Sequence, residues 1–160
     1  MSWPTPAHFS AMLQNPKIAF RDPELQELRI ELDERNQPRP RSGAFAVVYK
    51  GTSPDTGRSF AVRVFTTESP ERRERYDLTS EYLKQLGARR PASLVDFQYR
   101  DRSIRSAGDG KWYPLIVMDW IEGDTLFTWV RQRAGRRDDQ GLAAAADRWV
   151  QLVGELACAN

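Results

Sequence analysis

The chain has 160 residues, with 24 Lys and Arg against 22 Asp and Glu, 10 Gly, 10 Pro, one His and one Cys. That length suits one domain or one lobe of a larger one, and a folded chain of this size buries about 70 % of its unfolded surface, so a core forms without disulfides or metal. Cys158 alone excludes an intrachain disulfide, and His8 and Cys158 together are too few for a structural zinc site or for His-based acid–base chemistry away from the terminus.

The net charge of +2 is spread in mixed clusters. Arg72, Arg73 and Arg75 alternate with Glu71 and Glu74, and Arg131, Arg133, Arg136 and Arg137 run straight into Asp138 and Asp139. Such patterns are solvated helix faces, whereas a phosphate-backbone surface needs clustered charge of one sign, so no nucleic-acid partner is expected. The longest apolar runs, 142–146 and 115–118, fall far short of the ~20 residues that cross a bilayer. The start lacks a basic segment followed by an apolar one. The expectation is a cytoplasmic protein without membrane contact.

Residues 1–23 are Pro-rich and read as an irregular arm, with a helical piece near Phe9 to Leu13. Residues 28–32 alternate with period two, as a strand does. Residues 36–40 form a breaker segment, and Pro38 and Pro40 suit an edge, because Pro cannot donate to a ladder. Two runs of strand formers, 44–50 and 59–65, flank Ser53-Pro-Asp-Thr-Gly57 and predict an antiparallel hairpin. Ser69 and Pro70 open a predicted helix whose apolar stripe is Tyr76, Thr79, Leu83 and Leu86, and Gly87 ends it. Strands are predicted over 94–99 and 112–120, joined by a polar loop with Gly108 and Gly110. Helices are predicted over 126–133 and 139–156, the second with a stripe of Leu142, Ala146, Trp149, Val153 and Leu156. The fold class is α+β: a five-stranded antiparallel sheet with one helix inserted, followed by two C-terminal helices.

Three stretches in order carry a resemblance. Arg41-Ser-Gly-Ala-Phe-Ala-Val-Val-Tyr-Lys-Gly51 resembles the glycine-rich loop of protein kinases, Ala61-Val-Arg63-Val the strand bearing their phosphate-binding lysine, and Val117-Met-Asp-Trp-Ile-Glu-Gly123 their hinge. The resemblance to the N-lobe of a bacterial serine/threonine protein-kinase-like domain covers roughly residues 24–160. It implies that residues 24–122 are a nucleotide-binding lobe around a C-helix, and that 123–160 are the helical start of an incomplete C-lobe.

The resemblance also implies a site for ATP. Ser42, Gly43 and Ala44 would lie over the phosphates, although only Gly43 matches the family's three glycines; Arg41 and Ala46 stand at the other two positions. Val48 and Ala61 would roof the adenine. Arg63 replaces the phosphate-binding lysine, and either contacts phosphate or forms a structural ion pair. Its helix partner is Glu81 when counted from Pro91, or Thr79 when aligned by the apolar stripe, which turns Glu81 outward. Met118 stands at the gatekeeper position, and the Asp119 carbonyl and Ile121 N–H would meet the adenine edge. Asp124 or Thr125 either reaches a ribose hydroxyl or caps the helix at Leu126.

No His-x-Asp, Asp-Phe-Gly or activation segment occurs in the 160 residues, so no catalytic residue is assigned, and magnesium is expected only with a complete C-lobe. The alternative reading is a pseudokinase-type protein-interaction module without nucleotide turnover. The protein substrate or partner is left open by the sequence.

Overall fold

Three of the four prolines in the N-terminal segment start helices rather than break an arm. The computed structural model describes residues 3–87, 90–91 and 93–158; the first two residues of the predicted arm and the last two of the C-terminal segment lie outside these. Pro6, Pro16 and Pro23 are each the first residue of a short helix: α1 (Pro6–Leu13), α2 (Pro16–Ala19) and α3 (Pro23–Gln26). The first helical residue has no intrahelical acceptor for its N–H, and the proline ring presets φ, so Pro fits there at no loss. Thr5 caps α1 by accepting from the His8 N–H, while His8 Nδ1 accepts from the Thr5 N–H. Asp22 caps α3 by accepting from the Glu24 N–H. The irregular arm is thereby corrected, and only the helical piece near Phe9 to Leu13 matches the expectation.

Among the described residues the sheet is antiparallel and has six strands rather than five: β1 (Arg29–Ile30), β2 (Arg41–Ser42), β3 (Ala46–Thr52), β4 (Ser59–Phe65), β5 (Phe97–Arg105) and β6 (Trp112–Asp119). The extra strand arises because β1 and β2 share one edge. β1 pairs with the Gly51–Thr52 end of β3, and β2 pairs with Val47 and Val48. Residues 31–40 bulge out between them, with Asn36 at a φ of 56° and a lone bridge from Leu32 to Pro38. Pro38 and Pro40 have no N–H to continue the ladder, so one edge strand becomes two. The β3–β4 hairpin and β6 follow the sequence expectation. The strand predicted over 94–99 instead spans Phe97–Arg105, with a register shift between Arg100 and Ile104 and Arg102 at a φ of 53°.

The sheet's two faces have different fates. Val47, Tyr49, Val62, Val64, Leu115 and Val117 alternate onto one face and pack with Phe9, Met12, Leu13, Ala19 and Leu25 from the three N-terminal helices and with Phe20, which follows α2. Phe9 is fully buried. Polar bonds fix the same contact: Ser10 Oγ lies 2.8 Å from the Tyr49 hydroxyl, which donates to the Pro6 carbonyl. Arg100 on β5 pairs with Asp22, and the Arg21 N–H donates to the Ser103 carbonyl. The opposite face carries a smaller cluster of Ala46, Phe65 and Ile116 with Tyr76, Phe97 and Tyr99. Tyr76 comes from α4 (Arg72–Leu86), which begins two residues after the predicted cap and first position, and ends at Gly87, whose φ is 49°.

The chain divides into two compact units, one running through Tyr82 together with Asp96–Trp120, the other Leu83–Val95 together with the residues from Ile121 on. The second unit contains α5 (Leu126–Gly135) and α6 (Asp139–Cys158). Thr125 caps α5 by accepting from the Thr128 N–H, and Asp138 accepts from the Gly141 N–H at the start of α6. Neither helix has a buried residue, and Trp149, Val153 and Leu156 of the predicted stripe are exposed. A groove of about 770 Å³ runs between them, lined by Leu126, Trp129, Ala145 and Trp149. Among the described residues no helix is long and apolar enough to cross a membrane.

Because Phe9 fills the core of one sheet face, Phe9→Ala is expected to cost about 3–5 kcal/mol, read as a lowered denaturant midpoint. A dispensable arm would leave the midpoint unmoved. Tyr113 gives a pH-dependent counterpart. Burial first, then the 2.9 Å bond it donates to Asp109, push its phenol from 10.0 up to about 12. The fold therefore favours the neutral phenol, and this stabilisation is complete below pH ~10 and lost as pH rises towards ~12. Tyr113→Phe should show a smaller fall in urea midpoint between about pH 9 and pH 11 than the parent chain.

Candidate functional site

Register places four of the sequence-predicted residues together. Val48 stands opposite Arg63, Lys50 opposite Ala61, and Ala61 in turn opposite Met118. Side chains directly across an antiparallel pair share a face, so Val48, Ala61, Arg63 and Met118 all project from the face opposite the N-terminal helices. Val48 and Ala61 are diagonal neighbours there. Ala61 is buried, whereas Val48, Arg63 and Met118 are half-buried. The patch is small and apolar around Ala61, with a cation one row away.

The loop between β2 and β3 is less open to an anion than a glycine-rich cradle would be. Ser42, Gly43 and Ala44 are exposed. The Gly43 N–H, however, donates to the Ala46 carbonyl at 2.9 Å and closes the turn on itself. A Cβ at Gly43 would meet only that carbonyl oxygen, at 3.5 Å, so the turn does not depend on glycine for space.

Arg63 lies with its guanidinium 5.8 Å from the Phe65 ring centroid. Its charge also acts on Arg72, which is buried at the start of α4 with its guanidinium 4.1 Å from the Phe65 ring. Desolvation is the main reason that Arg72 is held below the ordinary arginine range, and the Arg63 charge adds to it. Arg72 donates to the Thr67 carbonyl. Two guanidinium groups thus converge near one ring. Glu81 and Thr79 are both exposed on α4, and the Thr79 hydroxyl donates back to the Arg75 carbonyl. Tyr76 rather than Thr79 is the α4 residue that faces the sheet, stacked on Tyr99 at 5.6 Å and edge-on to Phe97 at 5.7 Å.

At the end of β6, the Trp120 N–H donates to the Ser59 carbonyl at 3.0 Å. Backbone groups alternate along a strand, so the N–H and C=O of Asp119 point away from β4. The Asp119 carboxylate pairs with Arg58 at 2.8 Å. Ile121 is exposed and belongs to the second unit. Asp124 is exposed and accepts from the Gln132 side chain, while Thr125 does the capping.

Two residues that the sequence reading left out of the site dominate its geometry. Arg41 Cζ lies 4.4 Å from the centre of the Trp120 ring, and Lys50 Nζ lies 5.4 Å from it. Glu31 anchors Arg41, whose Nη2 donates to both carboxylate oxygens at 3.2 and 2.9 Å. Arg41 stands across from Val48, and Trp120 two residues beyond Met118, so both side chains rise from the Val48–Ala61 face. The one signal for them in the sequence was Arg41 at a glycine position.

Among the described residues no group of three or more His, Cys, Asp or Glu is placed to hold a metal ion. Compared with family models, with curated proteins and with solved structures, the chain matches none.

Tyr76 joins α4 to the sheet through three rings. Tyr76→Ala is expected to cost about 2–4 kcal/mol in global unfolding and to speed amide exchange along α4 more than along β3. Equal change in both elements would mean that the ring cluster does not hold the helix.

Proposed function

We propose that this chain is the ATP-binding lobe of a serine/threonine protein-kinase-like protein, with the adenine against Val48, Ala61 and Met118. The observation that carries the reading is the register. It brings a small residue, a β-branched one and the residue at the gatekeeper position onto one face, and the three N-terminal helices cover only the other. A flat purine needs such a shallow apolar patch, and Ala61 leaves depth for it. Arg63, with Arg72 beside it, supplies positive charge for phosphates. The Asp119 carbonyl, turned away from β4, supplies an acceptor for an exocyclic amine. In a complete domain the lobe would serve phosphoryl transfer from ATP to protein hydroxyls, with the base and the magnesium ligands supplied by the other lobe.

One pair of observations favours a second reading, a pseudokinase-type interaction module. The Gly43 N–H is engaged within its own turn, and Arg41 meets Trp120 over the face that would take the base.

Thermal unfolding in the presence of ATP separates the two. The first reading expects a midpoint that climbs with ligand, by roughly 3–6 °C at ten times Kd, equivalent to about 1.4 kcal/mol. It also expects Ala61→Leu, whose side chain fills the patch at a packing cost of about 1–3 kcal/mol, to remove that climb while the chain still unfolds cooperatively. A flat response of the parent chain to millimolar ATP supports the interaction module.

A further inference from the structure

The contact between Arg41 and Trp120 spans the candidate base site, and this inference rests on the nucleotide-binding reading above. Arg41 rises from β2 at the sheet edge, and Trp120 stands three strands across, about 14 Å, and four residues beyond Ile116, which shares the row of Arg41. They meet because both reach toward each other across the face that carries Val48, Lys50 and Ala61. What lies over the apolar patch is therefore a planar guanidinium on the flat of an indole.

That arrangement leaves donors without acceptors. Arg41 Nη2 is engaged by Glu31, but Arg41 Nη1 is buried with no partner, and so is Trp120 Nε1. A buried N–H that lacks an acceptor is destabilising, and proteins rarely leave two in one stack. Both belong to the same cation–ring pair, above the same patch. A planar ligand bearing lone pairs at its rim would supply the missing acceptors and the missing stack together.

We propose that Trp120 is the stacking surface for a planar, acceptor-bearing base, and that Arg41, tethered by Glu31, holds the base's place until it binds. Arg41 is then a specificity-determining residue: only a ring that stacks on the indole better than the guanidinium does, and that offers acceptors, displaces it. A ligand without such a ring, such as inorganic triphosphate, does not.

The test measures binding of adenosine, ATP and inorganic triphosphate to the full chain by calorimetry, for the parent, Arg41→Ala and Glu31→Gln. Removing the competing stack is expected to tighten adenosine and ATP on the order of tenfold in Arg41→Ala, and by a smaller factor in Glu31→Gln, with triphosphate unaffected. The Trp120 indole N–H resonance, assigned by its loss in Trp120→Phe, should move on adding adenosine to the parent. Should Arg41→Ala fail to fold, Glu31→Gln and this resonance decide the question. Unchanged or weaker adenosine binding in the two variants overturns the placeholder role while leaving the nucleotide site standing. An absence of binding to all three proteins overturns the nucleotide reading, and this inference with it.

Discussion

A β-sheet has two faces, and a fold of this kind depends on which one is sealed. Here residues 3–26 cover one face: Phe9, Leu13, Phe20 and Leu25 are driven into Val47, Tyr49, Val62, Val64 and Leu115 by removal of apolar surface from water. Val48, Ala61, Arg63 and Met118, with Arg41 and Trp120, lie on the other side. Because side chains alternate strictly, each residue that β3, β4 and β6 commit to the sealed face sends its neighbour to the opposite one. The positions of Val48, Ala61, Arg63 and Met118 follow from the burial of Val47, Val62, Val64 and Val117.

The opposite face is divided along its length. Near Phe65 it is filled by aromatic rings, where Tyr76 packs between Phe65, Phe97 and Tyr99 and carries α4 with it. Toward Ala61 the side chains are smaller, and the covering groups are long cationic ones, Arg41 from the edge and Lys50 from β3, which meet at Trp120. The filled region is where the helix docks, and beside it the face is covered by long side chains. Glu31 is central to this, since it ties Arg39 and Arg41 to the bulge between β1 and β2. The bulge exists because Pro38 and Pro40 cannot donate to β3, so the interrupted edge and the position of Arg41 have one cause.

Much of this was legible in the sequence because it is local. The hairpin around 53–57, the end of α4 at Gly87, the helices after Thr125 and Asp138, and the shared face of Val48 and Ala61 all follow from turn chemistry, capping and the two-residue period of a strand. Other features were misread for identifiable reasons. Prolines read as breakers, but Pro6, Pro16 and Pro23 each stand first in a helix, and Thr5 and Asp22 cap two of these. Thr79 was placed in the buried stripe of α4 by spacing alone, and it is exposed because Tyr76, with its rings across the sheet, sets the rotation of the helix. The strand after α4 runs later than its sequence suggests, because residues 100–105 are polar and charged apart from the buried Ile104, and a register shift breaks the alternation.

What the sequence by itself determined was the α+β class, the β3–β4 hairpin and the shared face of Val48 and Ala61, since each depends on neighbours within one hairpin. Only the tertiary structure decided that the N-terminal helices seal the other face, that a sixth strand divides the edge, and that Arg41 and Trp120 meet over the patch. Those contacts join residues far apart in the chain, such as Trp3 with Phe65 or Arg41 with Trp120, and no local period or propensity records a distance that only the closed sheet creates.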